Sequence, residues 1–167
     1  MTADEQLRER GVTLPQPPAP AAAYQLWRSG GGLFFTAGQL PLSDGELSMT
    51  GKLGSDLDVD AGADLARAAA INVLAIARAA ADGDLERVRI IKLTVYVASA
   101  PGFTDQHLVA NGASQFVADV LGEDGLHARS AVGVAVLPLD SPVEVDAVFE
   151  VRAPSSALRA SGDARHG

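Results

Sequence analysis

The sequence predicts an α+β domain whose helices cover one face of a mixed sheet. Three patterns carry that expectation. Leu65, Ala69, Asn72, Val73, Ile76 and Ala80 recur at three- and four-residue steps within "DAGADLARAAAINVLAIARAAAD", which makes one helical face. The run "RVRIIKLTVYVAS" is β-branched and nearly continuous, as a strand in mid-sheet requires. Two alternating runs, "SAVGVAVLP" and "VEVDAVFEV", close the patterned part of the chain.

Taken in order, residues 4 to 10 predict a short helix stopped by Gly11, and "LPQPPAPAAA", with its four prolines, predicts an extended arm over the surface. Tyr24 to Arg28 and Leu33 to Ala37 read as a hairpin closed by Gly30 to Gly32. Those glycines lead into a strand and not a helix N-terminus, which argues against a phosphate loop. The alanine-rich helix that follows can lie close to a sheet, and Gly83 suits its stop. After the mid-sheet strand comes a second helix over Thr104–Leu121, with Thr104 as N-cap, Phe116, Val117 and Val120 pointing inward, and Gly122 at its end. The last two runs, joined through Pro138 and Pro142, predict a hairpin. The organisation expected is an N-terminal helix and proline-rich arm over 1–20, one domain over 21–153 and a polar, disordered tail over 154–167.

Composition excludes several functions. Lys and Arg number 13 against 21 Asp and Glu, a formal charge of −8 that opposes partners held through phosphates, so no nucleic acid is expected. Without cysteine the chain has no disulfide, thiolate metal site or cysteine nucleophile. His107, His127 and His166 lack metal-ligand spacing, and no metal is expected. "MTADEQLRERG" lacks the cation-then-apolar order of a secretory signal and no apolar run approaches the ~18 residues of a membrane span, so a cytoplasmic protein without a membrane partner is expected.

In the last run Val143, Val145, Ala147, Phe149 and Val151 share one face, and Glu144, Asp146, Val148 and Glu150 the other. In the preceding run Val132, Val134 and Val136 alternate with Arg129, Ala131, Gly133 and Ala135. The second set is nearly bald. Small residues beside acids suggest close packing of another chain, so this strip is expected to be an oligomer contact. Arg129 is a permanent cation at the mouth of that strand, and its planar fork suits either a small carboxylate ligand or an interface salt bridge. Position alone leaves both open.

The chain resembles the RidA/YjgF family over about residues 20 to 151. The resemblance rests on Tyr24 after the proline arm, "FTAGQLP" at 35–41, "INVLAIARAA" at 71–80, "VRIIKLTVYV" at 88–97, "ARSAVGVAVLP" at 128–138 and "VEVDA" at 143–147. It implies a chorismate mutase-like fold, a homotrimer with sites at subunit interfaces, and hydrolysis of enamines and imines such as 2-aminoacrylate to keto acid and ammonia, with no cofactor. By the same resemblance Arg129 holds the substrate carboxylate, Glu144 places or polarises the attacking water, and Tyr24, Gly38, Asn111 and Ala131 line the pocket, Ala131 through its backbone N–H. Bland readings stand beside these: Glu144 as a solvated strand carboxylate and Tyr24 as an amphipathic strand residue.

The sequence departs from the family pattern in places. Ala131 stands where the best-known deaminases have cysteine, Ala37 replaces a serine, His127 stands where proline is frequent, and an apparent insertion lies at "TDQHLVAN", ahead of and including Asn111. A catalytically silent carboxylate-binding module and an endoribonuclease are the competing functions. If the last two strands pair as a tight hairpin, Glu144 lies opposite about Val136, roughly 20 Å from Arg129 at ~3.3 Å per residue. A site using both residues would then need two subunits.

Overall fold

The computed structural model describes residues 1–17 and 23–154. Helix α1 (Ala3–Glu9) opens with a capping box in which Thr2 and Glu5 satisfy each other's backbone N–H, and it ends at Gly11 with φ of 64°. Its Ala3 and Leu7 are buried. Strands β1 (Trp27–Gly30) and β2 (Leu33–Thr36) form the expected hairpin, with Gly31 and Gly32 at φ of 60° and 83° in the turn. A second small hairpin, β3 (Leu42–Ser43) and β4 (Glu46–Leu47), turns through Asp44 and Gly45. Two-residue strands have no period to read, so the sequence did not announce it.

Helix α2 (Val59–Ala80) starts at Asp58, whose carboxylate accepts from the Ala61 N–H at 2.9 Å. Strand β5 (Val88–Ala98), helix α3 (Gln106–Leu121), strand β6 (Ala128–Val134) and strand β7 (Val143–Val151) complete the order. Helix α3 begins one residue later than predicted: Asp105, not Thr104, is its N-cap, and the Gln106 side-chain amide donates back to Phe103 O at 2.8 Å to close the entry. The two long helices touch backbone to side. A Cβ on Gly112 would fall on the Ala63 carbonyl, so only glycine permits that crossing.

The main sheet has the order β1-β2-β7-β5-β6, with β5 and β6 parallel and the other neighbours antiparallel. The fold is the chorismate mutase-like α+β arrangement, with α2 and α3 on one side of the sheet. Along β7 the expected alternation holds: Val143, Val145, Ala147 and Phe149 are buried beneath the helices, and Phe149 stacks on Phe34 at 5.3 Å.

Two expectations are overturned. The runs at 128–134 and 143–151 are not a hairpin, because β5 lies between them. The end of β5 binds both: the Ala98 N–H donates to Pro142 O and the Ser99 N–H to Val134 O, each at 2.9 Å. An eight-residue connection (135–142) bridges over that end, longer than tight hairpin loops, which run to about five residues. The bald strip also faces the other way. Arg129, Ala131 and Gly133 stand opposite Leu93, Val95 and Val97, which are fully buried, so they point to the helix side. A Cβ on Gly133 would meet the Gln106 amide of α3 at 2.7 Å. A side chain of the chain's own helix α3 thus lies over Gly133, and Val132, not Ala131, faces the open side of the sheet, where it is 41% exposed.

The proline-rich arm lies outside the described residues over 18–22, as does the tail over 155–167. Among the described residues no helix is long and apolar enough to cross a membrane.

Candidate functional site

Arg129 leaves β6 toward α3. Its Nη1 donates to Asn111 Oδ1 at 2.9 Å and to Ser114 Oγ at 3.1 Å, and its Nη2 donates to the His107 carbonyl at 3.2 Å. Asn111 and Ser114 are three residues apart on one helix, so both face the same strand. Among the described residues Arg129 makes no ion pair. Its Nε–H and one Nη2–H remain, the geometry a carboxylate takes in two parallel bonds. Beside it opens a cleft of about 460 Å³ whose walls include Ser114, Gln115, Leu126 and His127. Ala131 is two residues along on the same face, half-buried, on an edge strand whose outward backbone groups have no ladder partner among the described residues.

Glu144 belongs to a second cluster on the open face of the sheet. It pairs across to Tyr96, which in turn pairs to Val132. A Cβ on Gly38 would collide with Glu144 Oε1, so the carboxylate occupies the space a side chain would fill. The Gly38 segment is pinned there by Gln39, whose N–H donates to Val145 O at 2.8 Å and whose carbonyl accepts from the Val145 N–H at 2.9 Å. Partial burial, and then the charge of Asp146, pushes the Glu144 carboxyl above its ordinary value. The Tyr96 hydroxyl donates to Asp146 Oδ2 at 2.9 Å, and burial together with that bond raises the phenol as well.

The predicted residues thus fall into two groups. Arg129, Asn111 and Ala131 lie on the helix side, and Glu144 and Gly38 on the open side. Arg129 is level with Leu93 and Glu144 with Tyr96, so the two Cα atoms are three residues and two strands apart, about 14 Å at ~3.3 Å per residue and ~4.8 Å per strand. This replaces the longer hairpin distance, and the opposite faces separate the side chains further. Tyr24 precedes β1, is 53% exposed and hydrogen-bonds neither group among the described residues. Ser114, His127, Tyr96 and Asp146 were missed by sequence reasoning; only the three-residue spacing of Asn111 and Ser114 could have pointed to one of them. No group of histidine, aspartate and glutamate side chains among the described residues is arranged to hold a metal ion.

Comparison with known proteins is consistent across the chain. Residues 15–151 match the family model of endoribonuclease L-PSP. Protein TCP17 of Trypanosoma cruzi is 48% identical over 147 residues, covering 87% of this chain and 91% of that protein. A structure of a protein of unknown function from Agrobacterium tumefaciens is 46% identical, with a TM-score of 0.83, covering 89% of this chain and 92% of its own. The structure of TdcF from E. coli with bound serine is 30% identical, with a TM-score of 0.58, covering 84% of this chain and 96% of its own.

Proposed function

The chain belongs to the endoribonuclease L-PSP family, the RidA/YjgF proteins, and from that premise we propose that it hydrolyses small enamines and imines of the 2-aminoacrylate type to 2-keto acids and ammonia. The observation that carries the reading is the guanidinium of Arg129, oriented by three neutral acceptors and left without a carboxylate of its own beside an open cleft. A group so held suits an incoming carboxylate. The serine bound by the E. coli neighbour, a small amino acid with such a group, supports the same ligand class.

In the proposed reaction the enamine gains a proton at its methylene carbon and loses one from nitrogen, which gives the imine. Water then attacks the imine carbon: its oxygen bonds to carbon and a proton reaches nitrogen. The carbinolamine collapses as its hydroxyl proton passes to nitrogen and the C–N bond breaks, so that ammonia leaves and the keto carbonyl forms. Glu144, raised toward its protonated form, can hold the water when ionised and return the proton to nitrogen. Ala131 would offer its backbone N–H to the carboxylate. Gly38 and Tyr24 would form the wall on Glu144's side.

Arg129 and Glu144 face opposite sides of one sheet, so the reading requires two subunits. We place the site between protomers of a homotrimer. The open sheet face, where Phe35 is 47% and Val132 41% exposed, is the surface that association would cover. The endoribonuclease function in the family's description is less well supported, because a chain of net charge −8 repels a phosphate backbone.

The test is ammonia and keto-acid release from an imine generated in situ by a pyridoxal-phosphate dehydratase. Acceleration over the spontaneous rate is expected. Pyruvate binding without acceleration would leave a carboxylate-binding module, and neither binding nor acceleration would overturn the reading.

A further inference from the structure

We propose that His127 is a positioning residue for the carboxylate clamp, acting on Arg129 through the hydroxyl of Ser114. The inference rests on the reading of Arg129 as the carboxylate-binding group. It adds a residue pair that the family resemblance does not supply.

The argument begins at Gly125. A Cβ at this position would press into the backbone of Val117 and Ala118, so only glycine lets the turn after α3 lie flat against the helix. That approach brings the Gly125 carbonyl to 2.6 Å from His127 Nδ1. A carbonyl can only accept, so Nδ1 carries the hydrogen, and in the neutral ring Nε2 presents its lone pair. Nε2 lies 3.0 Å from Ser114 Oγ. Ser114 must therefore donate its one hydroxyl hydrogen to His127. Its oxygen is left as an acceptor, and Arg129 Nη1 donates to it at 3.1 Å.

Each bond in this chain fixes the direction of the next: the turn carbonyl sets the ring, the ring sets the hydroxyl, and the hydroxyl sets the guanidinium. Without His127 a helical serine ordinarily turns its hydroxyl back to the carbonyl four residues earlier, and here that would be Ala110. Arg129 would then lose a directed acceptor and regain rotamers, although Asn111 would still hold the same nitrogen. The consequence falls on carboxylate binding, which is equal in the ground and transition states. The effect belongs in KM and not kcat.

The experiment uses the full-length protein and pyruvate as the probe, read by titration calorimetry, together with kcat and KM for imine hydrolysis. His127→Phe keeps the ring volume and removes both nitrogens; His127→Gln restores an acceptor toward Ser114; Ser114→Ala removes the middle link. His127→Phe and Ser114→Ala are each expected to weaken pyruvate about tenfold and to raise KM by the same factor with kcat within about threefold, the scale of one lost hydrogen bond on a charged group. The double variant should lose no more than either single one, and His127→Gln should recover most of the binding. Losses that multiply to about a hundredfold in the double variant would show that His127 acts independently of Ser114 and would overturn the proposal. If His127→Phe does not fold, Ser114→Ala against His127→Gln still decides: equal losses in those two overturn it as well. Wild-type protein that binds no pyruvate removes the carboxylate reading itself, whereas wild-type binding matched by His127→Phe removes the relay alone.

Discussion

Gly38 leaves open the space that the Glu144 carboxylate fills: a Cβ on residue 38 would overlap Oε1. The backbone there cannot retreat, since Gln39 is paired to Val145 in both directions. Gly38→Ala must therefore displace the Glu144 side chain. Imine hydrolysis should fall by about a hundredfold or more, within the range that general acid–base groups contribute, ~10²- to 10⁴-fold. Because the carboxylate is the far end of a flexible side chain, the fold should survive and the thermal midpoint should move by only a few degrees, as circular dichroism would measure. Full activity in Gly38→Ala would separate Glu144 from the chemistry.

Arg129 is bound to three acceptors that a lysine cannot reach together, because an ammonium lacks the planar fork that meets Asn111, Ser114 and the His107 carbonyl while keeping an edge free. Arg129→Lys should behave nearly as poorly as Arg129→Ala, with each losing about a hundredfold in pyruvate affinity, the order expected for a bidentate charged pair. A lysine variant with wild-type affinity would reduce the clamp to a point charge.

The inward face of β7 was legible because Val143, Val145, Ala147 and Phe149 alternate with acids, and a period of two leaves one solution. Which strand lies beside it was not. Alternation assigns a face and says nothing about a neighbour, and the preference for joining consecutive strands failed where β5, buried and eleven residues long, took the place between. Ala131 and Gly133 were assigned to the wrong side for a related reason. Ranking by hydrophobicity turns valine inward, but on this edge strand the inner space is already filled by Gln106 and Asn111 of α3. Arg129 stood out by itself as a lone cation at the mouth of a small, apolar strand, whereas Asn111, Glu144 and Gly38 were named through the family resemblance. That they form two clusters on opposite faces depends on register, which no local pattern encodes. His127 bonds to a serine thirteen positions away, and that pairing exists only once α3 and the Gly125 turn have packed.

Glu144 also makes stability depend on pH. Burial and the neighbouring Asp146 raise its folded-state pKa above the ordinary 4.5, so the folded state holds the proton more tightly than the unfolded chain does. The stabilisation from that proton is present below the ordinary value and is lost as pH rises through the raised one. Glu144→Gln keeps the shape without the charge. The variant should gain in thermal midpoint relative to wild type as pH climbs from about 4 to about 7, with the difference flattening above the raised value. A difference that is constant over this range would mean that Glu144 titrates normally in the folded protein.

The division of the site between faces can be tested with two inactive variants, Arg129→Ala and Glu144→Ala, mixed under conditions that let subunits exchange. Each homo-oligomer lacks one half of every site. Where an Arg129→Ala chain supplies Glu144 to a Glu144→Ala chain that supplies Arg129, the interface is intact. In a cyclic trimer formed at random from equal parts, about three rings in four are mixed and each holds one restored interface, so about a quarter of wild-type sites should return. An intrachain site predicts none, and the geometry disfavours one, since Arg129 stands with Leu93 on the helix side and Glu144 with Tyr96 on the open side. Differently tagged chains establish that exchange has occurred, and ammonia release reads the recovery. Light scattering on the parent protein supplies the ring size that the fraction assumes. With both variants inactive and exchange verified, failure of activity to return would mean that Arg129 and Glu144 do not meet across a subunit boundary, and the two-subunit mechanism would have to be given up.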